Sequence, residues 1–162
     1  MDMNVNAASI RLRGLSIASA RARVDNAAIL ARVQTRHFAL ILNELETLGR
    51  KETHWIWWVF PNARMGQSDM YATFIRDGNE TMRLMRLLSS RVKKQWLKIL
   101  KHLYKRVVIT SIPSADLGRI EACSTSPCWI DLKPRHVKDD ALALKIRNRI
   151  LKYHRRIQDV RR

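Results

Sequence analysis

Between residues 91 and 107 the apolar side chains keep a single interval. Val92, Trp96, Ile99, Leu100, Leu103 and Val107 recur every three or four positions, the spacing that lines one side of an α-helix. The opposite side carries Arg91, Lys93, Lys94, Lys98, Lys101, Lys105 and Arg106. From Glu80 to Asp116 there are nine Lys and Arg residues and no acid. Such a segment must fold as a helix that buries its stripe. It must also spread a band of positive charge or use it.

The same period returns twice. Residues 26–48 place Leu30, Val33, His37, Phe38, Ile41, Leu45 and Leu48 on one face. Asn26 is the expected starting cap, and Gly49 the left-handed residue that closes the helix. Residues 140–160 align Leu142, Ile146, Ile150, Tyr153, Ile157 and Val160. Asp139 and Asp140 stand at the start of that segment and Arg155, Arg156, Arg161 and Arg162 near its end, a polarity that suits the helix macrodipole. Shorter helices are expected from Ser68, from Asn79 after the turn "RDGN", and from Ser114. Pro127 and Pro134 predict irregular chain from 124 to 136. "WVF" and "RVVIT" are the strand candidates. The sequence therefore predicts a mainly α protein, a single helical domain of about five or six helices with little or no strand. That domain covers residues 26–162, and residues 1–25 are expected to form a basic, flexible arm.

The chain of 162 residues carries 31 Lys and Arg against 14 Asp and Glu, a formal charge of +17. An anionic partner is expected: nucleic acid, anionic lipid or a phosphorylated ligand. Non-specific nucleic-acid binding is favoured. It would use Lys94, Lys98, Lys101 and Lys105 on the first basic face, and Arg149, Arg155 and Arg156 on the last helix. Lysine is a point charge that reads phosphates and not bases. No helix-turn-helix, zinc-finger or RNA-recognition motif is present to add base specificity. The alternative is that both faces simply meet water.

Cofactor and catalytic patterns are missing: no P-loop, no G-x-G-x-x-G, no G-x-S-x-G and no H-E-x-x-H. No cofactor is expected. Cys123 and Cys128 form one C-x4-C pair without a second pair, so no metal site is expected either. Two cysteines suit a reducing compartment. With no apolar run long enough to span a bilayer, a cytoplasmic location is expected. Residues 3–24 contain Arg11, Arg13, Arg21 and Arg23, no acid, and many Ser and Ala residues. An organelle is the alternative, if that stretch is a transit peptide.

One stretch stands apart: "KETHWIWWVFPN", residues 51–62. As a helix or as a strand it is apolar on both faces, so it should be largely buried. Tryptophan rings are also platforms for flat ligands. Lys51 is a candidate for a phosphate, and His54 for a proton at neutral pH. Glu44, Leu45, Gly49, Lys51, His54, Trp55, Trp57, Phe60 and Pro61 together resemble the signature of a small, largely bacterial family of unknown function. That signature runs Gly-x-Lys-x-x-His-Trp-x-Trp-x-x-Phe-Pro, and members are sometimes labelled calpastatin. A second stretch, "SADLGRIEACS", is similar to the family's Asp-Asp-Leu-Lys patch at Asp116 and Leu117. It departs from the patch at Ala115 and Gly118, with Arg119 one place on.

The resemblance spans residues 36–125 and implies an all-helical fold. Together with the chemistry of the side chains, it points to a site for a nucleotide-like small molecule, bound or hydrolysed. Its candidate catalytic groups are His54 and Asp116. Its candidate ligand contacts are Lys51, Trp55, Trp57 and Arg119. The departures at Ala115 and Gly118 imply a further alternative, a member that has lost its activity.

Overall fold

A helix leaves its first four N–H groups without partners, and short polar side chains decide where helices begin. In the computed structural model, which describes residues 25–63 and 74–161, helix α1 runs Asn26–Leu48. Its cap is Asp25, one residue earlier than expected, whose carboxylate accepts the Ala28 N–H at 3.1 Å. Gly49 closes it at φ 67°, donating its N–H to the Leu45 carbonyl at 2.9 Å. The Ser68 cap and the arm over residues 1–24 lie outside the described residues.

Helix α2 is one turn, Ile56–Val59. Helix α3, Gly78–Leu87, is capped by Asp77 and not by Asn79, because the Asp77 carboxylate accepts the Glu80 N–H at 2.9 Å. Helix α4, Ser90–Tyr104, is capped by Ser89. It ends at Tyr104 because Lys105 turns extended at ψ 140°. The expected stripe is therefore broken at its last member: Val107 is 73% exposed, and Val108 and Ile109 turn inward from the one-turn helix α5, Arg106–Ile109. Helix α6 is Ser114–Ser124, where Ser114 is the first helical residue and makes no cap bond. Pro127 does not leave the chain irregular but begins a one-turn helix, α7, Pro127–Ile130, at the position where a missing N–H costs nothing. A 3₁₀ turn at Pro134–His136 leads to α8, Ala141–Val160, capped by Asp140.

The described residues thus form a single all-α domain of eight α-helices without a strand. Five helices have ten residues or more. "WVF" and "RVVIT" fall largely in the single turns α2 and α5 and not in strands.

Helix α4 is the centre of the packing, with α1 on one side and α8 on the other; α3 lies on α1, and α6 on α8. Trp96 on α4 is fully buried. It meets Phe38 edge-on at 5.5 Å and Trp129 at 5.7 Å, and its indole N–H donates to the Val59 carbonyl at 3.0 Å. Helices α4 and α8 run side by side in the same direction, because their contacts advance in step. Lys93 pairs with Asp140, the Tyr153 hydroxyl donates to the Leu100 carbonyl, and Arg156 donates to the Tyr104 carbonyl. Lys93 therefore leaves the solvent face on which the helical period put its neighbours. It is buried, and its ammonium also donates to the Met85 carbonyl at 3.1 Å.

Candidate functional site

The loop between α1 and α2 is organised by one carboxylate. Glu44 accepts the N–H groups of Glu52 at 2.7 Å and Thr53 at 3.2 Å, the Thr53 hydroxyl at 2.6 Å and the Trp55 indole N–H at 2.9 Å. Burial pushes the Glu44 carboxyl up, but these four donors more than offset it and hold it below its ordinary value. Trp55 is thereby locked inward, 1% exposed. Ile56, Val59 and Phe60 are buried with it, and Phe60 meets the Tyr153 ring at 4.9 Å. The stretch is largely buried from Trp55 to Pro61, with Trp57 and Trp58 half-buried, whereas Glu52, Thr53 and His54 are exposed.

Two distant segments meet here through the packing of α2 on α6. Lys51 Nζ lies 3.1 Å from Asp116 Oδ2, with side chains only 5% and 16% exposed. The same ammonium donates to the Thr53 carbonyl at 2.7 Å and sits 5.3 Å from the centre of the Trp55 ring. The Arg119 guanidinium lies 5.2 Å from the Trp57 ring centre. Lys51, Trp55, Trp57, Asp116 and Arg119 are thus brought together. His54 is not among them. It lines a hollow of about 280 Å³ with His37, Leu40, Glu44, Trp55 and Trp58, where His37 stacks on Trp58 at 4.7 Å. Asp116 pairs with Lys51 and not with His54. With the two candidate acid–base groups separated, no proton relay joins them.

A second feature lies between α4 and α8. A groove of about 440 Å³ is lined by Leu100 and Tyr104 from α4 and by Lys145, Asn148, Arg149, Lys152 and Tyr153 from α8. At about 100° per residue, Lys94, Lys98 and Lys101 lie roughly 100–160° round α4 from Leu100, on the solvent face of the helix and outside the groove lining. All three are exposed. Lys105, past the end of α4, is exposed and near His102 at 3.4 Å. Arg149 lines the groove. Arg156 is half-buried against Tyr104, with its guanidinium 4.9 Å from the ring centre, and Arg155 points outward about 200° round from Tyr153. Lys145, Asn148, Lys152 and Tyr104 were not singled out from sequence. Projecting 100, 104, 145, 149 and 152 onto two adjacent helices was the signal that could have found them.

Cys123 and Cys128 are buried and free. Burial pushes both thiols above their ordinary range, which suppresses the thiolate needed for a nucleophile or metal ligand. No group of three or more His, Cys, Asp or Glu residues stands close enough to hold a metal among the described residues. No described helix is long and apolar enough to cross a membrane.

The fold and these two sites define an all-α domain with an aromatic loop latched by a partly buried Lys–Asp pair, and with a cationic groove. The family model described as "Protein of unknown function (DUF1810)" matches residues 26–130, and the chain belongs to this family. The match reaches beyond both ends of the stretch 36–125. It takes in both halves of the Lys51–Asp116 pair, and it stops before α8. Searches of curated proteins and of solved structures return no match.

Proposed function

We propose that this protein binds the phosphate backbone of nucleic acid along the groove between α4 and α8. One observation carries this reading: three cations of α8 line a single groove against α4, and the solvent face of α4 carries further lysines. Lys145, Arg149 and Lys152 line the groove from α8, and Lys94, Lys98 and Lys101 are exposed on α4 beyond its lining. Helix α4 contains no acid, and α8 contains only Asp159, near its far end. At 1.5 Å per residue α4 is about 22 Å long and α8 about 30 Å. Those lengths can follow several phosphates of one strand, spaced by about 3.4 Å along a duplex axis.

Each phosphate neutralised releases condensed counterions, so affinity must fall steeply with salt. With six cations engaged, the slope of log K against log salt should be about −4 on a single strand and about −5 on a duplex. Fluorescence anisotropy with a labelled oligonucleotide measures it. Replacing Arg149 and Lys152 by Glu should flatten the slope by about two. Absence of binding at low salt, or a slope indifferent to those substitutions, ends this reading.

A second reading is favoured by the meeting of residues 51–57 with 116–119. Trp57 and Arg119, beside the Lys51–Asp116 pair, suit a nucleotide-like ligand that stacks on an indole and presents a phosphate to cations. A ligand that binds only the native state raises the melting temperature by mass action. A nucleotide panel should then give a shift that disappears in Trp57→Ala, and a shift untouched by that substitution would sink it.

A further inference from the structure

The floor of the α4–α8 groove differs in chemistry from its banks. Leu100 and the Tyr153 ring close the bottom from within, Tyr104 gives it an open aromatic surface, and Asn148 adds a carboxamide that can donate and accept. Tyr153 is fully buried and spent on the Leu100 carbonyl. Tyr104 is different: it is 39% exposed although its ring is clamped. Tyr153 meets it edge-on at 5.2 Å and 82°, and the Arg156 guanidinium sits 4.9 Å from its centre. Arg156 also donates through Nε to the Tyr104 carbonyl at 3.0 Å. A ring held this way cannot fold down to hide its own apolar surface. It remains a fixed, partly open aromatic surface beneath a cationic rim.

A phosphate rod does not need such a floor. A duplex keeps its bases stacked inside and offers the groove only its backbone. A single strand offers base faces as well. A charged groove with an aromatic surface is how proteins hold single strands without sequence preference, because every base has a π-face. The groove, at about 440 Å³, is within the size range of pockets that admit a flat ring. We propose that the groove selects single-stranded nucleic acid, with phosphates on Lys145, Arg149 and Lys152 and a base laid against Tyr104. This rests on the reading that the same groove binds nucleic-acid phosphates.

The test uses the full chain at low salt and three fluorescent probes of about 12 residues, a length within the usual site range. They are an oligo-dT strand, an abasic strand of the same charge, and a duplex. Oligo-dT should bind about tenfold tighter than the abasic strand, the scale of one stacked base. Tyr104→Leu should erase that difference, and Tyr104→Phe, which keeps the ring, should retain it. Equal affinity for oligo-dT and the abasic strand removes the base contact, as does duplex binding as tight as oligo-dT, and either result leaves the phosphate reading standing. Failure of all three probes removes both proposals. The comparison of oligo-dT with the abasic strand is made on the unaltered protein, so it decides the matter even where a variant folds poorly.

Discussion

Replacing Lys93 by Met should lower stability by about 2–3 kcal/mol, although Lys93 sits in the most lysine-rich helix of the chain. The Lys93 side chain is 9% exposed, and its ammonium pairs with Asp140 and donates to the Met85 carbonyl. Met fills the space of the lysine stem, so little of the loss is a packing defect. Deleting one partner of a buried ion pair costs about 3–5 kcal/mol, mostly because the other charge is stranded. Here Asp140 retains 30% exposure and still accepts the Ala143 N–H at 3.0 Å, so water and the helix end share its charge. That brings the cost to the lower figure. For a domain of this size it corresponds to a fall in Tm of roughly 5–10 °C.

Burial pushes the Asp140 carboxyl up, but Lys93 and the Ala143 N–H pull it down further, so it lies below the ordinary range. A carboxyl depressed on folding contributes stability that is complete above its unfolded value. That contribution is lost as pH falls through the folded value. The gap between wild type and Lys93→Met should therefore be full at neutral pH and close in acid, as pH falls through the lowered Asp140 value. Urea melts followed by circular dichroism at neutral and acid pH measure it. Combining Lys93→Met with Asp140→Asn should cost less than the sum of the two. A Lys93→Met protein within about 0.5 kcal/mol of wild type at neutral pH, or a gap indifferent to pH, would refute the reasoning.

Glu44→Ala strands the buried Trp55 indole N–H and frees the loop at Glu52 and Thr53, for a loss of about 1–3 kcal/mol in denaturant melts. Because its donors hold Glu44 below the ordinary carboxyl range, that loss should shrink as pH falls through the folded value. Two glycine replacements should have opposite signs. A methyl group added at Gly118, inside α6, or at Gly49 meets nothing within 4 Å, so only the backbone decides. Gly118→Ala should stabilise by about 0.5–1 kcal/mol, and Gly49→Ala, at φ 67°, should destabilise by about 1–2 kcal/mol in thermal melts. A thiol reagent should leave Cys123 and Cys128 unmodified in native buffer and react with both in denaturant, since both are buried.

The long helices were legible because their signals are local. The 3.6-residue period of α1, α4 and α8 and the glycine at position 49 are set within a turn or two of chain. The misplaced caps, Asn26 for Asp25 and Asn79 for Asp77, are errors of one or two residues between side chains that compete for the same N–H groups. The single turns α2, α5 and α7 escaped notice because one turn carries no period. Of the aromatic site, the meeting of residues 51–57 with 116–119 was legible only through the family resemblance. Nothing in the spacing itself says that Lys51 finds Asp116.

The amino-acid sequence by itself determined an all-α chain, the long helices and a surplus of positive charge, because helical period, capping and ionisation act over a few residues at most. Only the tertiary structure decided what each charge does. Lys93 is turned inward because the cap of α8, distant in sequence, arrives beside it. Arg149 shares one groove with Leu100 and Tyr104 because α4 and α8 lie side by side in the same direction. His54 parts from Asp116 because Glu44 folds the loop so that Trp55 points in and the imidazole points out. Helical periodicity says which face of an element a residue occupies, but which neighbour that face meets depends on how the whole core closes.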